Sequence, residues 1–162
     1  MTRVGTGFDA HAFDEDRPLI IGGVLVPDAP GLGGHSDADV LSHAVTDALL
    51  GAAGLGDLGA LYPATDEWRD ASSLSILADA AVRARDTGWF VTNVDCTVIA
   101  EYPKLGAFKD EMEVNLARAL KVEPNAVSVK ATTTDGLGFT GRGEGIAAQA
   151  VVLLANSASM ES

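Results

Sequence analysis

The sequence predicts one domain over residues 1–162, of α/β to α+β class with a mixed β-sheet. Three observations carry that prediction. Strand-like runs occur at 3–13, 18–26, 89–100, 126–133 and 146–155; helical periodicity falls between them; and glycine- and proline-rich breaks mark the joins. Strands and helices mix, with about one crossover helix between distant strands, which favours a mixed sheet over a purely parallel one. A chain of 162 residues buries roughly 70% of its unfolded surface by size scaling, enough for a single core.

The elements follow in order. Residues 3–13 read as an extended segment. The run PLIIGGVLV at 18–26 is β-branched and interrupted by Gly22-Gly23, a bulge or a turn. PDAPGLGGHS at 27–36 is a loop. Ser36 or Asp37 can cap the next helix, and Ser36 with Asp39 resembles a capping box. That helix carries apolar residues at helical spacing (Val40, Ala44, Ala48, Leu49) and stops near Ala53, before Gly54 and Gly56. Residues 57–71 show no period, and a loop of that length is usually functional. A helix over 72–86 ends at Gly88. Residues 89–100 form a central strand, Pro103 opens a helix to about Leu120, and strands at 126–133 and 146–155 bracket the turn DGLGFTGRGEG.

Composition narrows the function classes. Hydrophobic residues make up 47% and charged residues 21%, ordinary for a globular protein. No apolar run is long enough to span a bilayer and no signal-peptide pattern opens the chain, so a soluble cytoplasmic protein is expected. With 11 Lys and Arg against 23 Asp and Glu, the net charge of −12 leaves no basic face for a nucleic-acid backbone. An anionic small substrate would need metals, backbone N–H groups and a few placed cations. Cys96, inside the apolar run Val94–Ile99, reads as a small core residue.

Two clusters carry chemistry. Asp9 and His11 lie at i and i+2 of an extended segment and therefore on one face. His43 sits on the following helix, so strand and helix together offer three N/O ligands, with a fourth position open as in catalytic zinc sites. A hydrogen-bonded Asp–His pair is the alternative. His43 could likewise be a buried histidine bonded to Asp39 or Asp47, carboxylates that would equally suit a metal-bound imidazole. His35 and Ser36 end a glycine-rich loop beside a helix N-terminus, a reasonable anion site. The second cluster is KATTTDGLGFTGRGEG, residues 130–145: three threonines, Asp135, five glycines and Arg142, a natural phosphate fork. A plain strand–turn–strand with an Arg–Glu surface pair is its structural alternative.

Over nearly its whole length the chain resembles the 2-C-methyl-D-erythritol 2,4-cyclodiphosphate synthases. The motifs are GTGFDAHAF at 5–13, GHSDADVLSHAVTDALLGA at 34–52, GDLG at 56–59, YPATD at 62–66 and ATTTDGLGFTGRGEG at 131–145. The resemblance implies cyclisation of 4-diphosphocytidyl-2-C-methyl-D-erythritol 2-phosphate with release of CMP, in non-mevalonate isoprenoid biosynthesis. It implies zinc on Asp9, His11 and His43, and a magnesium or manganese ion between the α- and β-phosphates. The family holds that ion with Glu after the threonines, where this chain has the shorter Asp135. His35 and Thr133 match the positions credited with transition-state stabilisation. Ser36, Asp57, Leu58 and Gly59 match substrate-binding positions, and Tyr62, Pro63, Ala64, Thr65 and Asp66 match a mobile flap over the sugar. The cytosine pocket corresponds to Ala100, Glu101, Tyr102, Pro103, Lys104, Leu105 and Gly106 with Ala131 and Thr132, beside Thr133, Thr134 and Asp135; Lys104 would neutralise the α-phosphate. The family's homotrimer has helices on one sheet face, sheets facing the trimer axis, active sites between subunits, and an axial cavity for isoprenoid diphosphates lined at Phe139 and Arg142. Two rival readings are a zinc hydrolase with His35 or Asp37 as proton acceptor, and a non-catalytic nucleotide or isoprenoid-diphosphate binding module.

Overall fold

In the computed structural model, residues 1–156 are described. Alternating buried and exposed positions build a five-stranded sheet in the order β4-β1-β7-β5-β6. Its strands are β1 (Thr2–Asp14), β4 (Gly31–Leu32), β5 (Trp89–Ile99), β6 (Val127–Thr132) and β7 (Gly145–Asn156). All pairings are antiparallel except β5 with β6. That parallel pair is joined through α4 (Lys109–Leu120), the single crossover expected from the sequence. With α1 (Val40–Ala53) and α3 (Ser73–Asp86), α4 packs on the sheet. Val94, Cys96, Ile146, Ala148, Ala150 and Val152 are buried there, whereas Val4, Phe8 and Val151 on the opposite face are 64%, 60% and 37% exposed.

Residues 18–26 form a hairpin, β2 (Leu19–Ile21) with β3 (Val24–Val26). The Gly-Gly pair is its turn: φ is 56° at Gly22 and 70° at Gly23, and two successive positive φ values exclude most side chains. The Gly22 and Gly23 N–H groups donate to the two oxygens of Asp39, each at 2.8 Å. Asp39 also accepts from the Ser42 N–H at 3.0 Å and hydroxyl at 2.7 Å. Asp39 is thus the N-cap of α1, and the Ser36–Asp39 capping box does not form. Ser36 and Asp37 are committed elsewhere, Asp37 to Ser73 at the start of α3.

The expectation for Pro103 is also corrected. Residues 101–103 bend, Gly106–Phe108 make one 3₁₀ turn, and the α-helix starts at Lys109. Asp110 and Glu111 occupy its first turn, where carboxylates complement the helix dipole. The aperiodic stretch 57–71 holds a short helix α2 (Leu58–Leu61) and a 3₁₀ turn (Asp66–Trp68). The glycine-rich turn holds α5 (Gly138–Gly141). Cys96 is a core residue, 1% exposed; burial pushes its thiol up to about 12.

The contact between β1 and α1 positions the site. A Cβ on Gly5 would strike the Ala48 carbonyl and Ala52; one on Gly7 would strike the Ala44 carbonyl and the Ala48 nitrogen. Helix backbone therefore lies directly on strand backbone, with no side-chain layer between. Gly5, Gly7, Asp9 and His11 alternate onto the α1 side of β1, two absent side chains followed by two ligands. The residue before Ala44 is His43.

Candidate active site

The close approach brings three groups to one point. Asp9 Oδ2 lies 2.8 Å from His11 Nε2 and 3.0 Å from His43 Nδ1, and the two histidine nitrogens are 3.2 Å apart. Asp9, His11 and His43 are the group among the described residues whose ligand atoms lie mutually within 4.8 Å. All three are partly or fully covered, with side chains 29%, 18% and 11% exposed. Burial pushes the Asp9 carboxyl up, but hydrogen bonds and positive charge from both histidines outweigh it and leave the group at about 2. Burial pulls His11 down, and the Asp9 carboxylate more than reverses it, so His11 is raised.

The ring of His11 is oriented from behind. Its Nδ1 lies 2.7 Å from the Gly33 carbonyl oxygen, which can only accept; Nδ1 therefore carries a proton, and Nε2, which donates to Asp9 Oδ2 at 2.8 Å, is the ring nitrogen left to face a metal. For His43 the sequence suggested Asp39 or Asp47 as the second partner, and neither serves. Asp39 caps the helix, and Asp47 accepts from the Leu58 N–H at 3.1 Å. The far nitrogen of His43 instead faces the hydroxyls of Ser73 and Ser36, at 2.8 and 3.0 Å. A set of one carboxylate oxygen and two imidazole nitrogens, mostly shielded and with one side open, fits a divalent metal that binds N and O ligands.

The cluster opens into a cavity of about 560 Å³ lined by Phe8, Asp9, His11, His35, Ser36, His43, Asp47, Asp57, Leu58, Gly59, Tyr62, Ala64, Trp68 and Ile76. Most expected positions of the 34–66 motifs are here. Asp57 caps α2 through the Ala60 N–H at 2.8 Å. Tyr62 anchors the flap-like segment: its hydroxyl donates to Asp79 at 2.6 Å and its ring meets Trp68 edge-on. Pro63, Thr65 and Asp66 are exposed on the same segment, and Asp66 pairs with Arg69 at 2.7 Å. At the N-terminus of α1 the Asp39 carboxylate takes the Ser42 N–H, while His35 and Ser36 line the cavity beside it. Asp37, considered as a hydrolytic base, is committed to Ser73 and to the Asp39 N–H.

A second cavity, about 340 Å³, is lined by Ala100, Pro103, Lys104, Leu105, Gly106, Lys109, Ala131, Thr132 and Thr133. It shares no lining residue with the first. Glu101 and Tyr102 border it without lining it: Glu101 accepts from the Thr134 N–H at 3.4 Å, and Tyr102 donates to the Asp28 carbonyl at 2.6 Å. Asp135 stands outside both cavities with φ 51°, a left-handed conformation that Asp tolerates better than most residues. It accepts from the Thr133 hydroxyl at 3.0 Å. The Thr134 hydroxyl donates to the Leu137 carbonyl at 2.6 Å. Arg142 forms the surface pair with Glu144, at 3.0 and 3.2 Å, and Phe139 is 40% exposed; neither lines either of these two cavities. Sequence reasoning missed Phe8, Trp68, Ser73, Ile76 and Lys109, and offered Asp47 as a partner of His43 where it lines the larger cavity instead. Lys109 carried a signal, a second cation five residues after Lys104.

The chain is similar to known proteins over almost its whole length. A relative from Geobacillus kaustophilus, a 2-C-methyl-D-erythritol 2,4-cyclodiphosphate synthase, is 58% identical over 97% of this chain and all of its own length. The Salinibacter ruber synthase is 59% identical over 91% of this chain and 95% of that protein. Among solved structures, IspF of Plasmodium falciparum in complex with CDP superposes with a TM-score of 0.83 at 31% identity, covering 96% of each chain. The bifunctional IspDF of Campylobacter jejuni gives 0.92 at 46% identity, and this chain, 96% covered, spans 42% of that longer protein. Residues 2–155 match the YgbB family, and the chain belongs to it.

Proposed function

We propose that the two cavities are halves of one active site, completed between neighbouring subunits of a homotrimer. The chain is an enzyme that cyclises 4-diphosphocytidyl-2-C-methyl-D-erythritol 2-phosphate to 2-C-methyl-D-erythritol 2,4-cyclodiphosphate, releasing CMP, in non-mevalonate isoprenoid biosynthesis. The observation that carries the proposal is the convergence of Asp9, His11 and His43 at the head of the larger cavity. The separateness of the smaller cavity and the exposed apolar face of β1 and β7 support the trimer, with sheets toward its axis. Phe8, on that face, also lines the larger cavity.

The substrate's own 2-phosphate attacks the β-phosphorus, and CMP leaves. A phosphate nucleophile is ionised at neutral pH, so positioning and charge stabilisation suffice and no general base is required. On this reading the Ser36 and Ser73 hydroxyls beside His43 serve as hydrogen-bond partners of its ring and not as nucleophiles. Asp9, His11 and His43 would hold zinc, and Asp135 a magnesium or manganese ion, metals that supply Lewis-acid polarisation and a template for the phosphates. Asp57, Leu58 and Gly59 orient the methylerythritol and ribose portions, while the Tyr62–Asp66 segment covers them and excludes water. Residues 100–106, with Ala131 and Thr132, receive the cytidine end; the CDP bound by the Plasmodium falciparum protein supports that assignment. Lys104 offsets α-phosphate charge. His35 and Thr133 stabilise the charge that develops in transfer. Phe139 and Arg142 face the trimer axis and bind isoprenoid diphosphates. Among the described residues no helix is long and apolar enough to cross a membrane, and the enzyme acts in the cytoplasm.

The test is ³¹P NMR of the protein with zinc, magnesium and substrate. CMP with a coupled cyclic diphosphate is expected. CMP with a linear product would point to hydrolysis, and an unchanged spectrum to a binding role.

A further inference from the structure

Behind His43 lies a polar chain that nothing in the metal set requires. The Ser73 hydroxyl, fully buried at the start of α3, contacts His43 Nε2 at 2.8 Å and also the Asp37 carboxylate. Asp37 Oδ1 accepts the Asp39 N–H at 3.1 Å, and Oδ2 accepts the Ser73 N–H at 3.0 Å. The Ser36 hydroxyl oxygen stands 3.0 Å from His43 Nε2 and accepts the Ala38 N–H at 3.3 Å.

The protons can be counted. Backbone N–H groups only donate, so the Asp37 carboxylate is an acceptor on both oxygens and has no hydrogen to give. The one hydroxyl hydrogen of Ser73 therefore goes to Asp37. What Ser73 has left for His43 is a lone pair, and the hydrogen between them belongs to Nε2. With Nε2–H held by Ser73, the proton that His43 gives up on binding a metal is the one on Nδ1, which otherwise donates to Asp9. That atom faces Asp9 Oδ2 and His11 Nε2 at the cluster. The Ser36 hydroxyl, 3.4 Å from that of Ser73, can donate to its second lone pair. Every member of the chain then has a partner, with one direction of donation throughout.

We infer that Ser73 and Asp37 are positioning residues that fix the tautomer of His43, through Nε2–H to Ser73 and Ser73 O–H to Asp37, so that Nδ1 is the metal-binding atom. The inference rests on the metal reading of Asp9, His11 and His43. The two histidines thus present opposite ring nitrogens to one ion: His11 is locked by a backbone carbonyl, His43 by a hydroxyl–carboxylate relay. The relay also ties the ligand cluster to the first turn of α3, thirty residues away in the chain from His43.

The experiment is zinc binding by competition with a chromophoric chelator, on the full chain and on Ser73→Ala and Asp37→Asn. The expected result is an affinity about 10- to 100-fold weaker in each variant, as for other outer partners of metal-bound histidine. Asp37→Asn should lose at least as much as Ser73→Ala, because an amide can donate to Ser73 and turn its hydrogen onto His43. Wild-type affinity in both folded variants would overturn the relay while leaving the metal site standing. Loss of binding in His43→Ala with tight binding by the wild type secures that site separately; a wild-type protein that binds no zinc overturns both. Since Ser73 is buried and its variants can misfold, ring ¹⁵N NMR of the zinc-loaded wild type provides an independent reading. A protonated Nε2 on His43 with metal on Nδ1 supports the relay, and the reverse assignment refutes it.

Discussion

The two chemical clusters are built on opposite principles. Asp9, His11 and His43 stand on a long strand and a long helix whose backbones touch, each at least two-thirds covered, and each histidine held from behind. Thr132, Thr133 and Asp135 stand at an exposed strand end followed by a glycine-rich turn; Asp135 and Thr133 satisfy mainly each other. The first cluster is complete within one chain, while the second offers hydroxyls, a carboxylate and flexible backbone to something not yet there. Rigid elements suit a metal whose ligands must converge within tenths of an ångström. An exposed loop suits a phosphate chain of the kind the proposed reaction would bring to it.

That contrast can be broken or sharpened by experiment. The largest effect is expected from His43→Ala, which should remove zinc and lower turnover by about a thousandfold, the scale of several kcal/mol of Lewis-acid stabilisation. Metal analysis and the ³¹P assay read both; an active, zinc-free variant would sink the ligand assignment. Next comes Gly7→Ala, which touches no ligand. Its methyl meets the carbonyl of Ala44, an overpacking that should cost about 1–3 kcal/mol and weaken zinc by pushing α1 away from β1. Thermal unfolding and chelator competition should shift together; a drop in Tm with unchanged zinc affinity would show the helix contact to be structural only.

A smaller effect concerns pH in the zinc-free protein. Asp9 lies at about 2 against its ordinary 3.8, so its contribution to stability is present above 3.8 and lost as pH falls toward 2. His11 is raised from 6.5, so its contribution is present below 6.5 and lost as pH rises through the raised value. The zinc-free protein should therefore gain most from this pair between about pH 4 and 6.5. Zinc affinity should run the other way and rise with pH, because the ligands must shed protons. Unfolding midpoints with and without zinc across pH 4–8 would test it, and parallel curves would contradict it. The smallest effect belongs to the second cluster. Asp135→Glu should hold or improve magnesium-dependent turnover, as expected of a loop that adapts to its ligand. Complete inactivation would show that the shorter side chain is built into the site as rigidly as Asp9 is into its own.

What was legible in the sequence divides along the same line. Local periodicity exposed Asp9 and His11 on one strand face and put His43 on a helix, and the mixed sheet with one crossover followed from the order of elements. The failures were tertiary or concerned competing local partners. Ser36, Asp37 and Asp39 are all good capping residues within four positions, and only the packing of the Gly22-Gly23 turn against Asp39 decides between them. Ser73 is invisible as a site residue because its partner His43 is thirty positions away and nothing periodic links them. Pro103 looked like a helix start, but the residues beside it shape the wall of the smaller cavity first. The resemblance, by contrast, pointed to Asp57, Gly59 and Tyr62, which no local pattern singles out, and those residues do line the larger cavity.

The burial of Cys96 has a practical consequence. The sequence contains one cysteine, and it is sealed in the core with a thiol that stays protonated at working pH. The background for thiol-directed probes is therefore close to silent. A single new cysteine at Thr65, exposed on the flap, would be the chain's one reactive handle. A fluorophore placed there would test whether that segment moves when substrate is added, without first removing a native cysteine.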